Sequence, residues 1–236
     1  MLRSELPDQA KSLTEAVVMA LRADIMSCRL MPGMRLKIGD LCSQFGVSLG
    51  AVREALSHLT AEGLVVAEAQ RGFQVAPVSA AELQDLTRTR IEIEGLALRQ
   101  AIAEGDIGWE TGLVAAYHRL TRTPPSDPSD AAPISEAWSK AHADFHAALV
   151  AGCGSPWMMR LRTILYAQTE RYRRLSVPAA SHDRDVGQEH RELFEATLAR
   201  DADAAVACLT RHLSATTRIL LAAPEITAVE KAASRK

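Results

Sequence analysis

The stretch KIGDLCSQFGVSLGAVREALSHLTAEGLVVAEAQRGFQVAPV, residues 37 to 78, decides the fold of the N-terminal third. In KIGDLCSQF the apolar residues Ile38, Leu41, Cys42 and Phe45 recur at the spacing of one helix face, and in LGAVREALSHLTAEG Leu49, Val52, Leu56 and Leu59 do the same. Gly46-Val47-Ser48 separates the two patterns. The residues that follow predict two short β-runs, Leu64 to Ala67 and Phe73 to Ala76, around an AQRG turn. A helix, a tight glycine-containing turn and a second helix is the arrangement that places a recognition helix in a DNA major groove, and a hairpin directly after it is a wing.

Upstream, SLTEAVVMALRADIMS opens with Ser12 three residues before Glu15, a capping-box signature at the start of an amphipathic helix, and Pro32-Gly33 then turns the chain. The winged reading gives particular residues particular work. Ser48 caps the second helix, with neighbouring amides free to face a phosphate; Leu49 and Gly50 begin that helix; Arg53 lies one turn in; Arg71 and Gly72 sit at the wing tip. Arg35 and Lys37 flank the approach to the first helix of the pair. Over residues 1–79 the eight basic and eight acidic residues cancel, so a DNA contact depends on where the charges sit and not on a basic average.

The longer run LRADIMSCRLMPGMRLKIGDLCSQFGVSLGAVREALSHLTAEGLVVAEAQRGFQVAPVS resembles the DNA-binding domain of the GntR family of bacterial transcription regulators. It carries the PG turn, GVS turn, VREAL helix and RGxxV wing in the family's order. The remainder is similar to the helical (FCD-type) ligand-binding domain of the family's FadR branch. The resemblance implies a homodimer on an inverted-repeat operator. Relatives commonly place an arginine after the GVS or GVT turn, often followed by Thr-Pro, and some place another early in the preceding helix. Here Leu49-Gly50-Ala51 and Gly39 stand at those positions, and of the three arginines only Arg53 remains. SLGAVREALSHL and HADFHAALVAGCGS are similar to a subgroup associated with glutarate-type dicarboxylate catabolism.

At 236 residues, 47% hydrophobic but only 4% aromatic, the chain is long enough for two domains and reads as mainly α. The expected division is 1–79, a winged helix-turn-helix, and 80–236, an antiparallel helical bundle. Cys28, Cys42, Cys153 and Cys208 form no CxxC pair, which argues against a disulfide framework or thiolate zinc site and suits a cytoplasmic protein. Neither a signal peptide nor a membrane-spanning run is recognisable. The proline-rich TRTPPSDPSDAAP, residues 121 to 133, reads as a surface loop.

In the second segment AAELQDLTRTRIEIEGLALRQAIAEG keeps an apolar stripe of Leu83, Leu86, Ile93, Leu96 and Leu98 beside Arg90 and Glu94, which are one turn apart. The family resemblance makes Arg90 a candidate for gripping a carboxylate effector, for which a forked guanidinium is suited; a simple surface Arg–Glu pair is the alternative. His142 and His146 in AHADFH project from one helix face, while Asp144 points about 200° away from His142. His190 and His212 stand in two further helical patterns. The resembling domains often hold a divalent ion with three histidines and an aspartate; His146, His190 and His212 match the histidine places, and His142 takes the aspartate's. An all-nitrogen site favours Zn or Ni over Mn. Alternatively His142 stands aside and leaves an open position for a carboxylate. His58, His118 and His182 follow no such pattern. In RLRTILYAQTERYRRLS, Arg162, Tyr166 and Arg173 return to one helix face and are candidates for effector contact.

The chain lacks an HExxH motif and a Gly-rich phosphate loop, so a metal-dependent enzyme is the weaker reading. The expected function is a DNA-binding regulator, a repressor by family habit, whose operator affinity changes when a small carboxylate, such as a C5 dicarboxylate, binds near the metal. A metal that is structural, or is itself the signal, is the alternative.

Overall fold

The computed structural model describes residues 12–125, 135–176 and 184–222. These divide into two compact units, one of residues 12–83 with Ala167–Ser176 and one of Gln84–Tyr166 with 184–222.

The first unit opens with α1 (Leu13–Met26), where Ser12 Oγ accepts from the amide of Glu15 at 3.1 Å, the N-cap bond of the expected capping box. Next come β1 (Arg35–Leu36), α2 (Ile38–Phe45), α3 (Leu49–Ala61), β2 (Val65–Glu68) and β3 (Gly72–Val75). Gly46, at φ +66, ends α2 in the left-handed conformation that turns the chain into α3. The sheet is antiparallel in the order β1-β3-β2, and β1 is a strand that the sequence patterns did not predict. The hairpin strands lie one residue nearer their turn than expected. Glu68 pairs with Gly72 across a loop whose Gln70 takes φ +62, and Gln74 Nε2 donates to Glu68 at 2.8 Å. Val17, Leu21, Phe45, Val52, Leu56, Leu59 and Val75 form the core of this unit.

The helices that follow are α4 (Ala80–Glu104), α5 (Ile107–Arg122), α6 (Glu136–Val150), a 3-10 turn (Ala151–Cys153), α7 (Pro156–Ser176), α8 (Val186–Leu198) and α9 (Ala202–Ala222). Asp106, Ser135 and Asp185 cap α5, α6 and α8 with side-chain oxygens. The core of the second unit gathers Leu98, Leu113, Phe145, Leu149, Leu193, Leu209 and Leu213.

Two expectations change. The division between units falls inside α4 and inside α7, not at residue 79 with everything beyond it in the second unit. The last turns of α7 group with the first unit because buried polar groups there find partners in it: Arg171 donates to the carbonyl of Ala76, Tyr172 Oη bonds Ser79 and Glu82, and Gln168 Nε2 donates to the carbonyl of Glu62. Leu96, expected on the buried stripe of α4, is 53% exposed, since Ala97 and Leu98 supply the inward face at that level. Residues 126–133 of the proline-rich interruption lie outside the described residues, as does His182.

Candidate metal and effector centre

Helix α6 carries His142 and His146 one turn apart, α8 carries His190 and α9 carries His212, and all four imidazoles are buried. One nitrogen from each lies within 4.8 Å of the others. Tetrahedral zinc with Zn–N bonds of about 2.0–2.1 Å needs nitrogens about 3.4 Å apart, a spacing that this cluster approaches. Phe145 packs edge-on against His146 and His190, and Trp138 stacks on His142 at 4.8 Å, which fixes the rings from the apolar side.

The donor set suits a divalent ion. Both ring nitrogens of His146 and Nε2 of His190 are buried without a hydrogen-bond partner, a costly state that coordination relieves. Burial first, then the charges of neighbouring histidines, pushes His146 well below the usual histidine range and His190 down to about 3. Burial also lowers His212. Neutral imidazoles are the form that binds metal. Asp144 stays outside the cluster, paired with Lys140 at 2.6 Å.

Sequence reasoning missed two residues behind the cage. Glu189 Oε2 lies 2.7 Å from Nδ1 of His212, and Arg184 grips the same carboxylate through Nε and Nη2. Burial pushes Glu189 up, but the hydrogen bonds and charges of Arg184 and His212 outweigh it and hold the carboxylate at about 2. An ionised Glu189 therefore accepts the Nδ1 proton of His212 and leaves the Nε2 lone pair for an ion. Glu189 adjoins His190 in sequence yet serves His212, a pairing that only the packing of α8 on α9 creates.

Beside the histidines lies a second buried group. Arg90 Nε donates to Glu94 Oε1 at 2.7 Å, Arg162 Nε is 3.6 Å from Glu94 Oε2, and both guanidiniums face the ring of Tyr166 at 5.5 and 5.3 Å from its centroid. The Arg90–Glu94 pair is thus buried, not the surface pair that was the alternative. Nε and Nη2 of Arg162 are buried and donate no hydrogen bond. The charge of Arg162 depresses His146 and that of Arg90 depresses His212, so the arginines stand near the cage. Arg173 does not join this group: it lies in the first unit, where its guanidinium holds Glu170 through Nε and Nη2. Helical periodicity put it on the same face of α7, but not in the same compact unit.

On the first unit, Ser48 Oγ accepts from the amide of Ala51 at 3.3 Å, the cap expected for α3. Leu49, Gly50 and Arg53 are exposed along the start of α3. Arg35 and Lys37 are exposed at β1 and just before α2, and Arg71 and Gly72 are exposed at the hairpin turn. His58 and His118 are exposed and outside the histidine cluster.

The family model of bacterial regulatory proteins of the gntR family matches residues 13–75, and that of the FCD domain matches residues 85–215. The chain belongs to the GntR family and carries an FCD domain. The HTH-type transcriptional regulator BphR of Paraburkholderia xenovorans (strain LB400) is 44% identical over 89% of this chain and 86% of that one. The HTH-type transcriptional repressor GlaR of Escherichia coli (strain K12) is 34% identical over 82% and 89%. Escherichia coli McbR/YncC has a similar fold, with a TM-score of 0.68 at 21% identity over 89% of this chain and 98% of that one. This GntR/FCD protein is a DNA-binding transcription regulator, and the matched families and relatives are regulators, not enzymes. Among the described residues no helix is long and apolar enough to cross a membrane.

Proposed function

We propose that this regulator is a homodimeric repressor whose affinity for an inverted-repeat operator is set by a small carboxylate bound beside a divalent ion, Zn or Ni, at His142, His146, His190 and His212. The observation that carries the reading is Arg162. Its Nε and Nη2 are buried without an acceptor, near four buried imidazoles whose nitrogens converge. With Arg90, Arg162 and Glu94 the group keeps one uncompensated positive charge before any ion is added, and a dicarboxylate of about five carbons has an end for the guanidinium and an end for the metal. When bound, the ion supplies a Lewis-acidic position for a carboxylate oxygen. The residues supply the rest: Glu189 orients His212, Tyr166 stacks beneath both guanidiniums, and Arg162 donates to the ligand.

The repressor name of GlaR supports the sign of regulation. On DNA, Arg53 and Arg71 contact the duplex from α3 and the hairpin turn, with Arg35, Lys37, Ser48, Leu49, Gly50 and Gly72 beside them. A second copy covers the apolar strip of Trp157, Leu161 and Ile164, spaced i, i+4, i+7 along α7 and exposed.

The test is elemental analysis of untagged protein, followed by thermal shifts with glutarate and other mono- and dicarboxylates on metal-loaded and metal-stripped samples. About one Zn or Ni per chain, with a dicarboxylate raising Tm only in the loaded sample and releasing operator DNA, is the expected result. A DNA response to metal with none to any carboxylate would make the metal the signal, and no metal after reconstitution would overturn the site.

A further inference from the structure

The glycines of the first unit fall into two kinds. Gly33, Gly46, Gly63 and Gly72 have positive φ, where a side chain is strained. Gly39 and Gly50 do not; Gly50 is the second residue of α3, and a Cβ built on it meets nothing nearer than Ser48 Oγ at 3.8 Å. Neither the backbone nor the packing of this chain calls for glycine there, and alanine would favour the helix. Beside it, Leu49 is 57% exposed, a large aliphatic side chain in the leading turn of α3, and the exposed Arg53 follows one turn later. The leading turn of the recognition helix is therefore low in profile and apolar, in a domain that binds DNA.

The first residues of a recognition helix meet base edges in the major groove. Leucine has no donor or acceptor, so against guanine, cytosine or adenine it would cover polar groups without replacing their water. The thymine C5 methyl is the apolar feature of that groove. We propose that Leu49 reads a thymine methyl in each operator half-site, and that Gly50, lacking a side chain, lets the helix come close enough to make the contact. One half-site position is then selected by a methyl group and not by a guanine-reading guanidinium. This inference rests on the proposed contact of α3 with a paired-half-site operator and is independent of the metal and the carboxylate.

Duplexes that the full-length protein selects from a randomised pool supply the probe, with binding measured at low salt so that weakened variants remain in range. Each thymine is replaced in turn by uracil, which removes the methyl and keeps every hydrogen-bonding group. One such replacement is expected to weaken the wild type about fourfold, the contribution of one buried methyl-sized group, and to leave Leu49→Ala unchanged. Gly50→Ala is expected to hold or raise Tm while weakening the same duplex, opposite signs that a purely structural glycine does not give. Equal uracil effects on wild type and Leu49→Ala at every thymine would overturn the proposal. So would undiminished binding by Gly50→Ala, or a pool that yields no preferred sequence.

Discussion

The two units place their candidate functional groups in opposite environments. In the first, Val17, Leu21, Phe45, Val52 and Leu56 fill the core, and Leu49, Arg53 and Arg71 face solvent. In the second, four histidines, Arg90, Arg162 and Glu94 are buried, alongside the apolar core of α6, α8 and α9. A surface group is exchanged without disturbing the fold, whereas a buried polar group without a partner costs about 1–3 kcal/mol until something satisfies it. Ligand response and stability are therefore expected to be coupled in the second unit and separate in the first.

Removing the proposed metal tests that contrast most strongly. An ion present at about a thousandfold over its Kd stabilises by roughly 4 kcal/mol, so chelation, or His146→Ala, is expected to lower Tm and move the urea midpoint down. The stripped protein should also become acid-sensitive. His190 has a folded pKa of about 3, against about 6.5 for an unfolded histidine. Between those values the unfolded chain binds more protons, so stability is fully present above about pH 6.5 and falls as pH drops toward 3. His146 and His212 are shifted in the same direction and add to the trend. Urea titrations of stripped protein at pH 7 and pH 5 check this, and equal midpoints would contradict neutral buried imidazoles.

Arg53→Ala probes the opposite unit. Loss of one good base contact costs roughly 1–3 kcal/mol of operator affinity, while Tm stays put because the side chain is exposed. A matching fall in stability would mean that Arg53 serves the fold. Glu189→Gln keeps the shape of the residue and removes the charge that fixes the His212 tautomer. Metal affinity is expected to fall about 10–100-fold, read by competition with a chelator of known strength, and unchanged affinity would reduce Glu189 to a surface partner of Arg184. The smallest effect is Ser48→Ala, where loss of the α3 cap costs about 1 kcal/mol, seen in denaturation midpoints.

The histidine cage was legible because each helix advertised itself: His142 and His146 stand one turn apart, and His190 and His212 sit on inward faces of amphipathic helices. The support behind the cage was not. Arg184, Glu189 and His212 meet across a sequence gap that no periodicity spans, since a spacing rule describes one helix and not the angle at which two pack. Arg173 keeps the helix face that the period gives it but lies in the other compact unit, whereas Leu96 stands about 200° around α4 from the buried Leu98 and faces solvent. The two-residue strand β1 was too short to carry an alternating pattern, and exists because β3 offers it an edge.

By itself the sequence determined the local grammar of this regulator: the helix-turn-helix and its caps, the hairpin with its glycine turn, and the four histidines on three helices. Those features depend on residues within one or two turns of each other, where sequence distance and spatial distance agree. Tertiary structure decided which groups are buried together, that Glu189 serves His212, that Arg162 is left with unsatisfied donors, and that the end of α7 belongs with the first unit. Burial and hydrogen bonding between distant segments depend on how helices pack, and packing is a property of the whole set of side chains rather than of any one stretch.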